Sequence, residues 1–430
     1  MKKVCVIGGG AAGLMAAYAA ALNGNEVVLL EKNEKLGKKI YITGKGRCNF
    51  TNDVSPEEFL GSVVRGEKFL RGCIYSFPPQ KTINFFEENG LSVKIERGNR
   101  AFPTSDHASD VTKALEKACL SQGVRIQLKE KVIKIHSTMP EIIPMTRIVD
   151  GNMIDKMNEE QTPNIVGIET EKGYYPCDVV IVATGGMSYP STGSTGDGYA
   201  FAQKCGHTLV DLRAGLCGLN LEGNFHAQLQ GLALKNVGIA VKNGEKVVYE
   251  DFGEALFTHF GISGPIVLST SSKINRLPLK SLRVTLDFKP ALQEEVLDKR
   301  LLRDFEKYKN KQVVNALCEL LPQKLIPVLL NLAEIPLKKN VNVLTKEERG
   351  RLVKLLKNFP LKVKSLRGFE EAIITSGGVS VNEINPKTME SKKVRGLKFC
   401  GEVLDVDAFT GGFNMQIAFA TGYAAGNTVR

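Results

Sequence analysis

The chain has 430 residues, length enough for two to four domains, and at 43% hydrophobic and 24% charged it has the balance of a folded globular protein. Nine scattered cysteines argue against a disulfide scaffold and for a reducing, cytoplasmic setting; no apolar run reaches the roughly 18 residues of a membrane span, and the first residues do not read as a signal peptide. The net charge of +11 is local: residues 273–367 hold 22 Lys and Arg against 10 Asp and Glu, and the rest holds 35 against 36.

In chain order, residues 4–7 form a short apolar strand, followed by Gly8, Gly10 and Gly13 in a G-x-G-x-x-G arrangement. The first glycine permits a tight turn, the second a close approach of phosphate to backbone, and the third close packing of helix on strand. An alanine-rich helix runs to Asn23 and stops at Gly24. A second strand, 27–30, ends on Glu31, 18 residues after Gly13, where a carboxylate takes ribose hydroxyls and repels a 2′-phosphate. With the unpaired N–H groups of the helix start facing a pyrophosphate, this is a dinucleotide site that disfavours NADP. A helix over 108–121, Gly123 and a strand pair through 135 extend the alternation. Residues 137–163, with three prolines and no sustained period, read as an inserted loop or excursion.

A continuous apolar strand at 177–183 then opens into TGGMSYPSTGSTGDGY. The basic stretch reads as helical over 291–305, 313–321, 324–333 and 346–357, punctuated by Pro322, Pro327, Pro336 and Pro360. Near the far end a strand at 397–400 meets Gly401 and Glu402, and Gly411 and Gly412 open an alanine-rich helix through 425. A long dinucleotide held by both chain ends, with a second helix start near a ring system, suits FAD better than NAD.

At this point a resemblance enters. GGGAAG (8–13), TGKGRCNFTN (43–52), FPTSDHASDV (102–111), ATGGMSYPSTGSTGDGY (183–199), LFTHFGISGP (256–265), TSGGVSVNEINPKTMESKKVRGL (375–397) and FCGEVLDVDAFTGGFNMQIAFATG (399–422) resemble, in this order, the BaiN/YhiN-like family of bacterial flavoproteins. The resemblance implies an α/β fold: a discontinuous FAD-binding domain of glutathione-reductase type (1–190 and 368–430), a β-barrel-like insert (191–288 and 359–367) and a basic helical subdomain (289–358). It implies Gly8, Gly10, Ala12 and Gly13 at the pyrophosphate and Glu31, with Lys32 after it, at the adenosine ribose. Val132 would meet adenine through its backbone, and Thr184 and Gly185 would line the adenosine side. Glu402, after Gly401, would contact the ribityl chain, with Asp405 nearby. Gly412, Asn414 and Met415 would place N–H groups beside the flavin pyrimidine oxygen, and the loop of Arg47, Cys48 and Asn49 would pass near the flavin.

The expected activity is that of an FAD-dependent oxidoreductase, either reducing an activated C=C bond with NAD(P)H as a transient donor or oxidising a small amine or carbonyl compound. The substrate is a small molecule, and the insert would cover the flavin. A flavoprotein that docks or modifies RNA through residues 273–367 is the alternative, and a flavin-bearing sensor without turnover is a third. Arg47 and Tyr189 are the candidate catalytic side chains. Cys48 has no second cysteine nearer than Cys73, which argues against dithiol chemistry. His259 reads as an ordinary satisfied histidine, and Lys38 and Lys39 as solvated. GISGP lacks the final glycine of a nucleophile elbow, and the spacing of histidines and cysteines suggests no metal.

Overall fold

The computed structural model describes residues 1–138 and 162–430, together with the backbone pairing of Ile142–Val149 and Asn152–Glu160. It divides into two compact units, Met1–Arg213 with Ile374–Arg430, and Ala214–Ile373, each with its own apolar core.

The first unit is organised by an all-parallel sheet of β1 (Lys3–Ile7), β2 (Glu26–Glu31), β3 (Arg125–Leu128), β4 (Val179–Val182) and β5 (Leu397–Phe399), in the spatial order β5-β4-β1-β2-β3. The central strands are apolar along their length because both faces are covered, which is why they read as runs rather than alternations. In β5 the exception is Lys398, whose buried Nζ donates to Ala425 O at 3.0 Å and Thr428 Oγ1 at 2.8 Å. It thereby closes the C-terminal end of helix α3 (Phe413–Asn427), and burial pulls its pKa down to about 8.

Helix α1 (Ala11–Leu22) and α3 come from opposite ends of the chain and touch backbone to backbone. A Cβ at Gly422 would stand 2.4 Å from Ala12 O, and one at Gly426 would stand 2.2 Å from Ala16 O. Residue 422 is therefore level with 12 and 426 with 16, so the helices run parallel. The start of α3 lies about eight residues, roughly 12 Å at 1.5 Å per residue, ahead of the start of α1. Helix α2 (Ala108–Ser121) packs on α1 with Val111, Leu115 and Cys119 buried.

Segment 137–163 is not the irregular excursion its prolines suggest: it carries an antiparallel pair, Ile142–Val149 with Asn152–Glu160. Within it Pro144 stands opposite Asn158. Residues 139–141, 150–151 and 161 lie outside the described residues. Asp197–Lys204 is a helix of the first unit, with Tyr199 and Phe201 buried in its core, so the chain leaves that unit after Arg213.

The second unit is a seven-stranded antiparallel sheet in the order Phe359–Leu361, Leu282–Asp287, Ala233–Asn243, Lys246–Thr258, Gly261–Ser263, Leu219–Leu221, Val363–Leu366. The first and last of these strands are separated in sequence by Lys362 alone. Two backbone steps span at most about 7 Å, so the two edges meet and the sheet curls into a barrel. Between Leu282–Asp287 and Phe359–Leu361 come the helices Glu294–Lys307, Val313–Ala316, Leu325–Leu332 and Lys346–Lys357. The last matches the periodicity end to end and opens on a Thr345–Glu348 capping box. The expected helix over 313–321 is cut to one turn ahead of Pro322.

The backbone contact between α1 and α3 makes Gly426→Ala destabilising by about 1–3 kcal/mol, since the new methyl must push the helices apart. Gly350→Ala, inside Lys346–Lys357 with nothing within 4 Å of the new Cβ, gains up to about 1 kcal/mol from helix propensity alone. Denaturant unfolding midpoints of the two variants should move in opposite directions.

Candidate cofactor site in the first unit

The turn after β1 needs its glycines for different reasons. Gly8 has φ +107°, and a Cβ there would meet Ala183 O at 2.6 Å; a Cβ at Gly13 would meet Gly8 O at 1.9 Å. At Gly10, the N-cap of α1, a Cβ would meet nothing within 4 Å, and no side chain caps the helix. The turn is thus closed on the protein side and open at the helix start, with uncapped N–H groups there. Ala12 stands against Gly401, whose added Cβ would come within 2.7 Å.

Glu31 is buried at the end of β2. Its Oε2 accepts the Gly9 N–H at 2.7 Å, and its Oε1 accepts the N–H and Nδ2 of Asn33 at 2.8 and 2.7 Å. It therefore pins the glycine turn to the end of β2. Lys32 is held by Asp197 Oδ2 at 2.7 Å and Thr195 Oγ1 at 2.5 Å. Val132 is buried at the start of Val132–Ser137, just after Glu130, whose N–H donates to Glu31 O at 2.9 Å.

Beyond β4, Thr184 and Gly185 (φ +72°) follow Ala183, and Thr184 Oγ1 is buried with no hydrogen-bond partner. Glu402 is a hub. Its Oε1 accepts the Thr375 N–H and the Ser188 hydroxyl, both at 2.8 Å, and its Oε2 pairs with Lys39 Nζ at 2.6 Å. Lys39 also donates to Ser188 Oγ. Lys39 is thus not the solvated lysine that its neighbourhood in sequence suggests; its partner lies 363 positions away. Asp405 is committed to Arg65, which grips both of its oxygens at 2.8 Å.

At the start of α3, Gly412 has φ +96°, and a Cβ there would stand 2.3 Å from Thr51 O. No side chain caps this helix. The Asn414 side chain instead clamps the backbone of Ala408, accepting its N–H at 3.0 Å and donating to its carbonyl at 2.8 Å. Met415 is partly buried against the core, leaving the first-turn backbone as what both residues bring to the site. Asn49 is buried beside Gly412 with Oδ1 unpartnered. Cys48 is fully buried, and desolvation pushes its thiol up to about 12, so it is inert. Arg47 lies over the Phe102 ring at 4.4 Å, with its donors taken by Glu96 and by Asp106 at 2.7 Å. Lys94 and Arg47 together hold the Asp106 carboxyl below its ordinary range.

Tyr189 is half-buried with φ 52°, an unusual backbone for a non-glycine residue, at the head of the turn Pro190–Thr192. His259, in the second unit, is exposed between strands with its ring edge-on to Phe260 at 5.1 Å. Ser263 of GISGP ends a strand, and Gly264 opens the helix Pro265–Ile274. Among the described residues no group of three or more His, Cys, Asp and Glu could hold a metal, and no helix is long and apolar enough to cross a membrane. In the basic stretch several acids are paired locally, as in Arg349–Asp298 at 2.7 Å and Lys339–Glu348 at 2.7 Å. The surplus falls on exposed lysines such as Lys280, Lys299, Lys338, Lys354 and Lys364, spread over several elements.

These features fit FAD: two uncapped helix starts about 12 Å apart along one direction, with open space over Gly10. Gly8, Gly10, Ala12 and Gly13 could hold its pyrophosphate and the first turn of α3 its ring. The fold and site define a Rossmann-like, FAD-dependent oxidoreductase. The chain belongs to the family described as HI0933-like protein Rossmann domain, which matches residues 2–428.

It is 33% identical to the 3-dehydro-bile acid delta(4,6)-reductase of Clostridium scindens, over 99% of this chain and 98% of that protein. It is 29% identical to the ribosomal RNA dihydrouridine synthase of Escherichia coli, over 97% of this chain and 96% of that one. In fold it is similar to the 3-ketosteroid-delta4-(5alpha)-dehydrogenase of Rhodococcus jostii RHA1, with a TM-score of 0.52 at 16% identity, covering 99% of this chain and 96% of that chain.

Sequence reasoning missed the roles of Lys39, Ser188 and Thr375. The last two stand in motifs that carry the family resemblance, but only folding brings them onto Glu402. Burial also sets an alkaline limit. Cys48, Cys73, Cys119 and Cys400 are pushed up from 9.0 to about 12, so the native state keeps protons that the unfolded chain releases. The stability they contribute is intact below pH 9 and lost as pH rises toward 12. Lys398 acts oppositely between about pH 8 and 10.5, but it is one group against four. The urea midpoint should fall between pH 8.5 and 10.5, and fall less in Cys48→Ala.

Proposed function

We propose that this protein reduces a C=C bond conjugated to a carbonyl, with NAD(P)H as electron donor. The observation that carries this reading is that two relatives, each aligned over nearly the whole chain, bear names of reactions that saturate such a bond: a bile-acid delta(4,6)-reductase and a dihydrouridine synthase. Bound FAD supplies hydride transfer to and from its ring.

The chain's own part is placement and proton supply. Gly8, Gly10, Ala12 and Gly13 at the start of α1 receive the pyrophosphate, with Glu31, Lys32, Val132, Thr184 and Gly185 around the adenosine. Gly401 and Glu402 take the ribityl side, and Glu402 is held in one orientation by Thr375, Ser188 and Lys39. Asp405 supports this segment through Arg65. The uncapped N–H groups of α3 would stabilise negative charge at the pyrimidine edge of the bound ring.

Saturating a conjugated alkene adds a hydride at one carbon and a proton at the other. The proton must come from a side chain that is not already spent. Arg47 is tied to Glu96 and Asp106, so it orders its loop. Tyr189 is the proposed donor, supported by a backbone conformation of the kind that functional sites maintain at a cost.

Anaerobic mixing with NADH and NADPH tests the donor: at least one should bleach the bound flavin, and a panel of a 3-oxo-Δ4 steroid, free uridine and uridine within RNA should restore its colour selectively. If neither nicotinamide bleaches it, while a small amine does so and oxygen is then consumed, the reductive reading is wrong. Lys39→Met should weaken FAD binding about tenfold or more by releasing Glu402 from its fixed orientation, read by flavin fluorescence on dilution. Tyr189→Phe should leave bleaching by the nicotinamide intact and slow the recolouring step by about 100-fold.

A further inference from the structure

The chain leaves the first unit after Arg213 and re-enters it at Ile374, and the strands at these two crossings, Leu209–Gly215 and Ile374–Val379, pair as a two-stranded sheet. Beside that pair, within the first unit, lies a polar cluster that the cofactor site does not use. His207, two residues ahead of the outgoing strand, is buried, and its side chain has no exposed surface. Its Nδ1 stands 3.0 Å from Glu383 Oε2 and its Nε2 stands 2.8 Å from Ser391 Oγ. Both partners lie on the segment that follows the returning strand.

The hydrogens in this cluster have one consistent arrangement. Ser391 Oγ accepts the N–H groups of Lys393 and Val394, both at 2.9 Å, which fills its two lone pairs. Its own hydrogen must then go to His207 Nε2. That nitrogen is bare, so the imidazole proton sits on Nδ1 and is donated to Glu383. Glu383 is filled in turn. Its Oε2 also takes the Thr208 N–H at 2.9 Å, and its Oε1 takes the Thr208 hydroxyl at 2.9 Å and Lys393 Nζ at 2.7 Å. Thr208 O accepts the Ser380 N–H at 3.0 Å, so the approaches to both strands are bound into one network.

A second imidazole proton would have no acceptor, because Nε2–H would face an oxygen whose lone pairs are spent. The charged groups on the surrounding elements do not compensate it. The charge of Glu383 is met by Lys393, while Lys392 donates to Asn382 O at 2.8 Å and Glu390 accepts the Gly396 N–H at 2.8 Å. In β5, Lys398 is spent on the end of α3, and Phe399 turns its ring edge-on to His207 at 5.1 Å. Lys204, on the helix ahead of His207, is exposed. We propose that His207, Glu383 and Ser391 form a proton-sensitive latch that holds the two crossing strands at neutral pH and releases them in acid. Burial, with Lys393 adding to it and Glu383 opposing it, holds the latched ring below its ordinary 6.5. The released ring takes up a proton at about that ordinary value. Acid therefore favours release by one proton, about tenfold per pH unit below 6.5.

The test uses the full chain with FAD bound. There are five histidines, so 15N-histidine labelling gives a readable spectrum, and His207→Gln identifies the His207 signals. In the wild type His207 should carry its proton on Nδ1 and stay neutral at pH 6.5, where an ordinary imidazole is half charged. Hydrogen exchange of residues 207–213 and 380–394, corrected for the intrinsic effect of pH, should report about ten times more opening at pH 5.5 than at 6.5. Strand β1 and the helix Lys346–Lys357 should show no such change. In His207→Gln the acid dependence of the two segments should vanish, whatever their opening at pH 7.5. In Ser391→Ala, with the hydroxyl gone, the titration midpoint of His207 should rise by about one pH unit.

A proton on Nε2 or a charged ring in the wild type at pH 7 overturns the latch. So does opening of the two segments that is the same at pH 5.5 and 6.5, or acid dependence that survives in His207→Gln. If the glutamine variant does not fold, Ser391→Ala decides: an unchanged His207 midpoint there shows that the serine hydroxyl does not hold the ring neutral.

Discussion

The first unit depends on a backbone-to-backbone contact between two helices from opposite ends of the chain. Gly422 and Gly426 of α3 leave no room for a side chain against Ala12 and Ala16 of α1, and the alanines of α1 are buried all round. Small residues at four-residue spacing let the axes approach until carbonyls nearly touch the opposing Cα atoms. That contact is the register mark of the site. It sets how far the start of α3 projects beyond the start of α1, and so the separation of the two positive helix ends. Lys398, buried under the last turn of α3, fixes the other end of the same helix.

Around these helices the polar groups divide by what they are already doing. Glu31, Glu402 and Asp405 look from sequence like three carboxylates awaiting a ligand. In the structure each is first a brace: Glu31 for the glycine turn, Glu402 for the junction of Thr375, Ser188 and Lys39, Asp405 for Arg65. A carboxylate has about four acceptor directions, so bracing and ligand contact are compatible, and a braced carboxylate presents its remaining direction with little entropy to lose. The helix-start N–H donors have no capping side chain, and Thr184 Oγ1 and Asn49 Oδ1 are among several buried oxygens without a hydrogen-bond partner. Arg47, the most conspicuous cation of its loop, is neutralised by its own neighbours, while Lys39 proves to be wired to Glu402.

The excess charge has a similar resolution. The stretch 273–367 folds into the strand Leu282–Asp287, four helices and the strand pair around Lys362. Several of its carboxylates find local partners, and exposed lysines lie on different elements. The net charge of +11 therefore describes the surface of one unit and says little about the chemistry of the other.

The sequence by itself determined the class of the fold and the position of the glycine turn between its first strand and helix. A β-strand, a glycine turn and a helix are local objects, and Gly8, Gly10, Gly13 and Glu31 act within one such object. Local periodicity likewise fixed Lys346–Lys357 to the residue, because its caps and its apolar stripe are all within the segment. Where the cause was distant, the sequence was silent or misleading. The prolines of 137–163 hid an antiparallel pair whose stability comes from cross-strand bonds. Nothing near Lys39 announces Glu402, and nothing near Cys48 says that its thiol is sealed or that Asn49 beside it meets the mouth of a helix over 360 residues later. Only the tertiary structure decided which polar groups brace one another and which remain open, because that depends on burial and on partners brought together by the packing of α1 on α3.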